Sequence, residues 1–260
     1  MSDPSGFREQ LQAASQALDN RGALYLVLSG TSEAKPVRHF YGTDGLTAVP
    51  LFQGTPYAGW HEVMPFLVQV TDTSGFLDWV DDTDAADWGW GLISDATLGE
   101  VFGHVRSLTK ILLPDGKEVF FRYWDPRYLG ALLSGVEDTC RANLMGPAQS
   151  IVLPDGEVIN HPGTPGNATP APEFPWFSLS AETLKKIAVL CWSRLVDNTI
   201  SALGKKKHSP LIQYPGPVAR QKVERQLRRL TSGEAVTELS PEHVQTIHHA
   251  LLHEASRGTY

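Results

Sequence analysis

Two rhythms of hydrophobic and polar positions run along this chain, and the change from one to the other divides it. In the first, short apolar runs alternate with short amphipathic ones. ALYLVL (Ala23–Leu28), PFLVQV (Pro65–Val70) and WGWGLIS from Trp88 are compact and rich in β-branched and aromatic residues, which predicts buried strands. VPLFQGTPY mixes apolar residues with Gly54 and Pro56 and reads as a strand running into a turn. Between them lie helical spacings. Phe7, Leu11, Ala14 and Leu18 mark a helix within Gly6–Asn20. Phe76, Leu77 and Val80 mark one starting at Ser74, the expected N-cap. Leu98, Val101, Phe102, Val105 and Leu108 fall on one helical face after Asp95, again the expected cap.

In KILLPDGKEVFFRYW, two β-rich runs flank Pro114-Asp115-Gly116, a hairpin signal. A second LPDG, at 153–156 in SIVLPDGEVI, predicts a second hairpin. The rhythm then breaks. Residues 161–175, HPGTPGNATPAPEFP, are dense in Pro and Gly and read as a linker. Beyond it the period is helical throughout. Ser180 caps an expected helix over Ala181–Leu203, with Leu184, Ile187, Val189, Leu190, Leu195, Val196 and Ile200 as apolar positions. A polar helix follows around Val218–Leu230. The last starts at Ser240-Pro241, an N-cap with proline at the first helical position.

EVFFRYWDPRY raises the question of chemistry. Alternation through 118–124 places Phe120, Arg122 and Trp124 on one strand face. Asp125 then stands where an N-cap belongs, with Pro126 next and a helix through Leu133. DPR is thus a strand-to-helix corner. An Arg122 on a covered face needs a carboxylate, Asp125 or an acid from 81–87, so a structural ion pair is the expected role.

Composition narrows the function. Residues 1–150 hold 10 Lys+Arg against 19 Asp+Glu, whereas 151–260 hold 12 against 10. The first part repels polyanions at long range, and the second is only mildly basic. The longest apolar runs fall well short of the roughly 18 residues a membrane span needs, and the N-terminus lacks the apolar core of a secretory signal. Cys140 and Cys191 are far apart and match no metal spacing, which suits a reducing compartment.

The candidate chemistries are weak. DWVDDTDAAD, with Asp78, Asp81, Asp82, Asp84 and Asp87, lacks the Gly and terminal Glu of a calcium loop and reads as an acidic surface. His249 and His253 stand at i, i+4 without an HExxH motif, so His248, His249 and His253 read as surface histidines. Lys205, Lys206 and Lys207, with Arg220, Lys222, Arg225, Arg228 and Arg229, form a basic stretch near one aromatic, Tyr214. It reads as a solvated face or a patch for an acidic partner. The seven Trp residues are expected mostly in the core, with Trp176 and Phe177 as candidate interface anchors. No nucleophile triad, P-loop or dinucleotide fingerprint is present.

GALYLVLSG, VPLFQGTP, MPFLVQV, FLDWV, WGWGLIS, an amphipathic helix and LPDGKEVFFRYWDPR follow one another in an order that resembles the adaptor (chaperone) family of bacterial type VI secretion, the Tap or TEC proteins, over roughly residues 22–145. The resemblance is most specific at LPDGKEVFFRYWDPR, and there it implies that Arg122, Asp125, Pro126 and Arg127 are the structural signature. It further implies a cytoplasmic protein, not an enzyme, that binds a toxic effector and promotes its loading onto the VgrG spike.

The expected architecture is α/β: a mixed-sheet domain with flanking helices over 1–160, the linker 161–175 and a helical lobe over 176–260, the candidate region for effector choice. The expected partners are the effector and VgrG, with no cofactor, metal, nucleic acid or membrane. Candidate partner-binding residues are Trp176, Phe177, Lys205, Lys206, Arg225, Arg228 and Arg229. The rival readings are a hydrolase using Asp and His residues, and a nucleic-acid binder acting through 205–229.

Overall fold

The computed structural model describes residues 6–19, 21–44, 47–165, 175–232, 236 and 239–256. The chain divides into two compact units between Leu179 and Ser180.

The first unit opens with α1 (Phe7–Ala17), β1 (Ala23–Leu28), α2 (Pro36–Thr43), β2 (Val49–Pro50), a 3-10 turn (His61–Val63) and β3 (Phe66–Val70). It continues through α3 (Gly75–Asp82), β4 (Gly89–Ser94), α4 (Leu98–Ser107) and the hairpin of β5 (Lys110–Leu112) and β6 (Glu118–Phe120). It closes with α5 (Pro126–Gly135), α6 (Asp138–Met145) and the hairpin of β7 (Ser150–Val152) and β8 (Val158–Asn160). Six strands form one sheet in the order β2-β3-β1-β4-β7-β8, and β5–β6 stand apart. The α/β class expected from the pattern is present. The sheet's pairings, however, are antiparallel rather than mixed, because β3 and β4 both run opposite to the central β1 they flank.

Sheet burial explains the continuous apolar runs. Leu24, Leu26 and Leu28 share a core with Phe7 and Leu11 of α1, Phe40 of α2, and Phe76 and Leu77 of α3. On the other face, Tyr25 and Val27 are also buried. There the Trp90 indole N–H donates to the Tyr123 carbonyl at 2.8 Å, which sets the residues before DPR over that face. A sheet covered on both sides has no reason to alternate with polar residues. Each large apolar side chain fully buried in this way contributes about 1.5–3 kcal/mol.

Two helix starts differ from expectation. Thr97, not Asp95, caps α4: its hydroxyl accepts the Glu100 N–H, and Glu100 Oε2 accepts the Thr97 N–H at 2.8 Å. This reciprocal box satisfies two end donors at once. Asp95 instead accepts from the Gln149 side-chain amide at 2.6 Å. Ser74 sits at the start of α3 but makes no cap bond of its own. It donates to Asp44, whose other oxygen accepts the Phe76 N–H at 3.3 Å.

The two LPDG segments fold alike. In each, the Gly N–H bonds back to the Leu carbonyl, and the Asp side chain accepts the N–H two residues on. Of the 161–175 segment, residues 166–174 lie outside the described residues. Past it, the Phe177 carbonyl accepts from Leu112 N–H and the Leu179 N–H donates to the Leu112 carbonyl, both at 2.8 Å. Residues 177–179 thereby pair with β5.

The second unit is helical. It comprises α7 (Ala181–Leu190), α8 (Trp192–Gly204), a 3-10 turn (Pro210–Gln213), α9 (Gly216–Thr231) and α10 (Pro241–Ser256). Ser180 caps α7 by accepting the Thr183 N–H at 3.0 Å. The single helix expected over 181–203 is broken at Cys191, which ends α7 and begins α8. The break re-aims the apolar stripe. Leu195 and Val196 enter a core with Leu203, Val223, Leu227, Ile247 and Leu251, whereas Val189 and Leu190 are exposed. No helix among the described residues is long and apolar enough to cross a membrane.

Candidate functional site

β6 ends at Phe120, four residues short of the alternation expected through Trp124. Beyond it, the Tyr123 carbonyl accepts the Trp90 indole N–H rather than a strand partner's. Phe121, Tyr123 and Trp124 turn inward, and the Arg122 side chain stays 43% exposed. The corner itself forms as the cap signal predicts. Asp125, 1% exposed, accepts the Arg127 N–H at 3.1 Å, and Pro126 opens α5. The carboxylate also takes the Arg127 guanidinium, Nε to Oδ1 at 2.8 Å and Nη2 to Oδ2 at 2.7 Å. These bonds to Asp125, with its charge and that of Asp87, hold the Arg127 pKa above its ordinary value against the opposing effect of burial. Arg122 lies 3.7 Å from Asp125 and stacks over Tyr128 at 5.3 Å. The chief partner of Asp125 is therefore Arg127.

Contacts run outward from this corner in two directions. One reaches the loop after β1. Asp87 stands 3.7 Å from Arg127 and accepts the Ser32 hydroxyl at 2.7 Å, and the Trp124 indole N–H donates to Thr31 at 3.2 Å. The pinned loop forms a wall of a cavity of about 470 Å³. Lys35, Arg38 and His61 line it, as do Val37, Met64 and Phe66. Gly30 is required here. A Cβ at that position would lie 2.1 Å from the Met64 carbonyl oxygen, so only glycine lets the loop meet this backbone.

The second direction is aromatic. Trp124 packs edge-on against the buried Phe52 at 5.7 Å, and Phe52 meets Tyr57 at 6.4 Å. Tyr57 lies 4.6 Å from Phe120 and 5.1 Å from Trp60, and Trp60 and Phe120 are 5.2 Å apart. These last two rings face solvent, at 48% and 37% exposure. Lys110 sits over Tyr57 and Phe120 at 5.5 and 5.7 Å and pairs with Glu118 at 2.9 Å. Tyr57 and Glu118 raise the Lys110 pKa above its ordinary value, so its positive charge is secure. The surface that results is a three-ring platform with a cation at its edge. Sequence reasoning placed the tryptophans mostly in the core and missed it. The rings come from segments about 60 positions apart, and no local pattern joins them.

The other candidates are scattered. Trp176 is half-buried, and its indole N–H donates to Ser107 at 2.9 Å. Phe177, expected as an interface anchor, is 4% exposed and lies inside the first unit, where its backbone pairs with β5. In the second unit, Lys205 and Arg229 are exposed, Lys206 bonds Gln245 at 2.6 Å, and Arg228 stacks over Trp192 at 5.6 Å. Arg225 pairs with Glu254 at 2.6 Å, beside the buried Lys222 at 3.2 Å. Burial works against the Glu254 charge, yet Lys222, Arg225 and Gln226 keep its pKa below the ordinary value. The basic stretch is thus partly committed to internal pairs. His248 is buried rather than on the surface, and burial with nearby Lys206 and His249 lowers its pKa. Of the acidic run, Asp78 and Asp81 pair with Arg8, and Asp87 with Arg127. Cys140 and Cys191 are not joined in a disulfide.

Residues 24–143 match the model of a family described as Domain of unknown function (DUF4123). The match contains the corner, the cavity and the aromatic platform. No curated protein and no solved structure matches the chain.

Proposed function

We propose that this protein is an adaptor of type VI secretion. In this reading it holds a toxic effector in the cytoplasm and promotes its loading onto the VgrG spike, and its work is binding rather than catalysis. The observation that carries the reading is the platform of Tyr57, Trp60 and Phe120 within the family-matching segment. Rings of this size left in water forgo the burial that stabilises most aromatics, and aromatic side chains dominate the energetics of protein interfaces. The pairing of the buried Asp125 with Arg127 supports the reading in a second way. Both groups satisfy each other at a helix start, as a structural brace does, rather than standing free for a substrate.

Co-expression with a toxin from a gene neighbouring this chain's own tests the proposal. A soluble complex that copurifies at low and moderate salt is the expected result. Failure to copurify at either salt removes the main support.

A further inference from the structure

The cavity after β1 has a chemistry that the adaptor reading does not use. Three of its lining side chains can donate to an anion, Lys35, Arg38 and His61, and all three are exposed at its rim. None forms an ion pair among the described residues, whereas Arg8, Lys110, Arg127 and Arg141 in the same unit all do. The chain carries no Lys or Arg between Arg38 and Arg106, and residues 1–150 hold 19 acids against 10 bases. Among the described residues, Lys35 and Arg38 thus stand in an acidic unit without a carboxylate partner.

The remaining walls are of another kind. Val37, Met64 and Phe66 supply apolar surface, and Tyr41, 49% exposed, stands at the edge. The Ser29 and Ser32 hydroxyls are occupied by Thr31 and Asp87, so Lys35 and Arg38 supply the charge of the site. Behind the wall, the Ser32–Asp87–Arg127 chain and the Trp124–Thr31 bond hold the loop in place. A preformed pocket of about 470 Å³ is large enough for one or two side chains and too small for a folded surface.

We propose that this cavity binds a peptide segment in which an Asp or Glu carboxylate neighbours an apolar side chain. The carboxylate bonds to Lys35 and Arg38, and the apolar side chain rests on Met64 and Phe66. Charge complementarity selects the acid. A nucleic acid fits less well, because the acidic unit around the cavity repels a long polyanion while tolerating one local carboxylate. The inference goes beyond the adaptor reading and stands without it, since any partner carrying such a segment would serve.

The test is selection of a random dodecapeptide library on the full chain. Enriched peptides are synthesised with their acids intact and with Asp and Glu changed to Asn and Gln. Binding is measured against wild type, Lys35→Glu/Arg38→Glu and the milder Arg38→Gln, with melting temperatures as a check on folding. Acidic-apolar peptides are expected to enrich, and to bind about tenfold more weakly or worse after amidation or charge reversal. Trp60→Ala/Phe120→Ala is expected to leave them bound. Selection without acid enrichment, no enrichment at all, amidated peptides that bind equally, or peptides lost on Trp60→Ala/Phe120→Ala but not on Lys35→Glu/Arg38→Glu would each overturn the proposal. Effector copurification is scored separately, so either idea can fail while the other stands.

Discussion

Arg127 closes on Asp125 with both arms of its guanidinium, at 2.8 and 2.7 Å, two residues away and at the first turn of α5. Asp125 is thus helix cap and ion-pair partner at once. Asp125→Ala removes the cap, worth about 1 kcal/mol, and strands an arginine that is 38% exposed. Full loss of a buried pair costs about 3–5 kcal/mol, and the exposure of Arg127 reduces that. We expect Asp125→Ala to destabilise the first unit by about 2–4 kcal/mol in denaturant unfolding. Arg122→Ala, which gives up only the longer contact and a stacking position, should cost under about 1 kcal/mol. A larger effect at Arg122 than at Asp125 would reverse the assignment.

Gly146 ends α6 at φ +55, with the His104 ring against it. A Cβ there would lie 2.3 Å from Cε1 of His104. The ring cannot give way easily, since Nε2 bonds the Leu144 carbonyl at 2.8 Å. Gly146→Ala therefore combines backbone strain with overpacking and should lower stability by about 2 kcal/mol or more. Gly99, where a Cβ meets nothing within 4 Å, is the control: Gly99→Ala should be neutral or slightly stabilising.

Burial pushes the His104 pKa below its ordinary 6.5, against the opposing bond to Leu144, and His248 shifts the same way. The folded state therefore holds fewer protons than the unfolded chain as pH falls through 6.5. Linkage makes that stabilisation complete above the ordinary histidine value and lost progressively as pH drops toward the lower folded values. Melting temperature should decline from pH 7.5 to pH 5.5, before carboxylates titrate. In a His104→Gln variant the decline should be shallower. An equal slope would show that His104 is not the group responsible.

Much of this was legible in the residues themselves. β1 and β4 declared themselves as unbroken apolar runs because both sheet faces are covered, and the two LPDG turns and the Asp125-Pro126 corner carry their own local chemistry. Thr97 could have been read too, since Glu100 three residues on completes the capping box that Asp95 lacks. The break at Cys191 left no mark, because neither Gly nor Pro stands there and the apolar spacing runs on. The functional surfaces were the least visible. Trp60 meets Phe120 only after a hairpin folds across the chain, and Lys35, Arg38 and His61 converge only once β1 and β3 pair.

The aromatic platform separates binding from folding most cleanly, because Trp60 and Phe120 lie at the surface and their loss leaves the buried Phe52 and Trp124 in place. The decisive measurement is the affinity of Trp60→Ala/Phe120→Ala for the co-expressed effector, alongside its melting temperature. We expect a melting temperature within a few degrees of wild type and an affinity lower by about a hundredfold, as when two interface anchors are lost. Unchanged affinity in a folded double variant would contradict it.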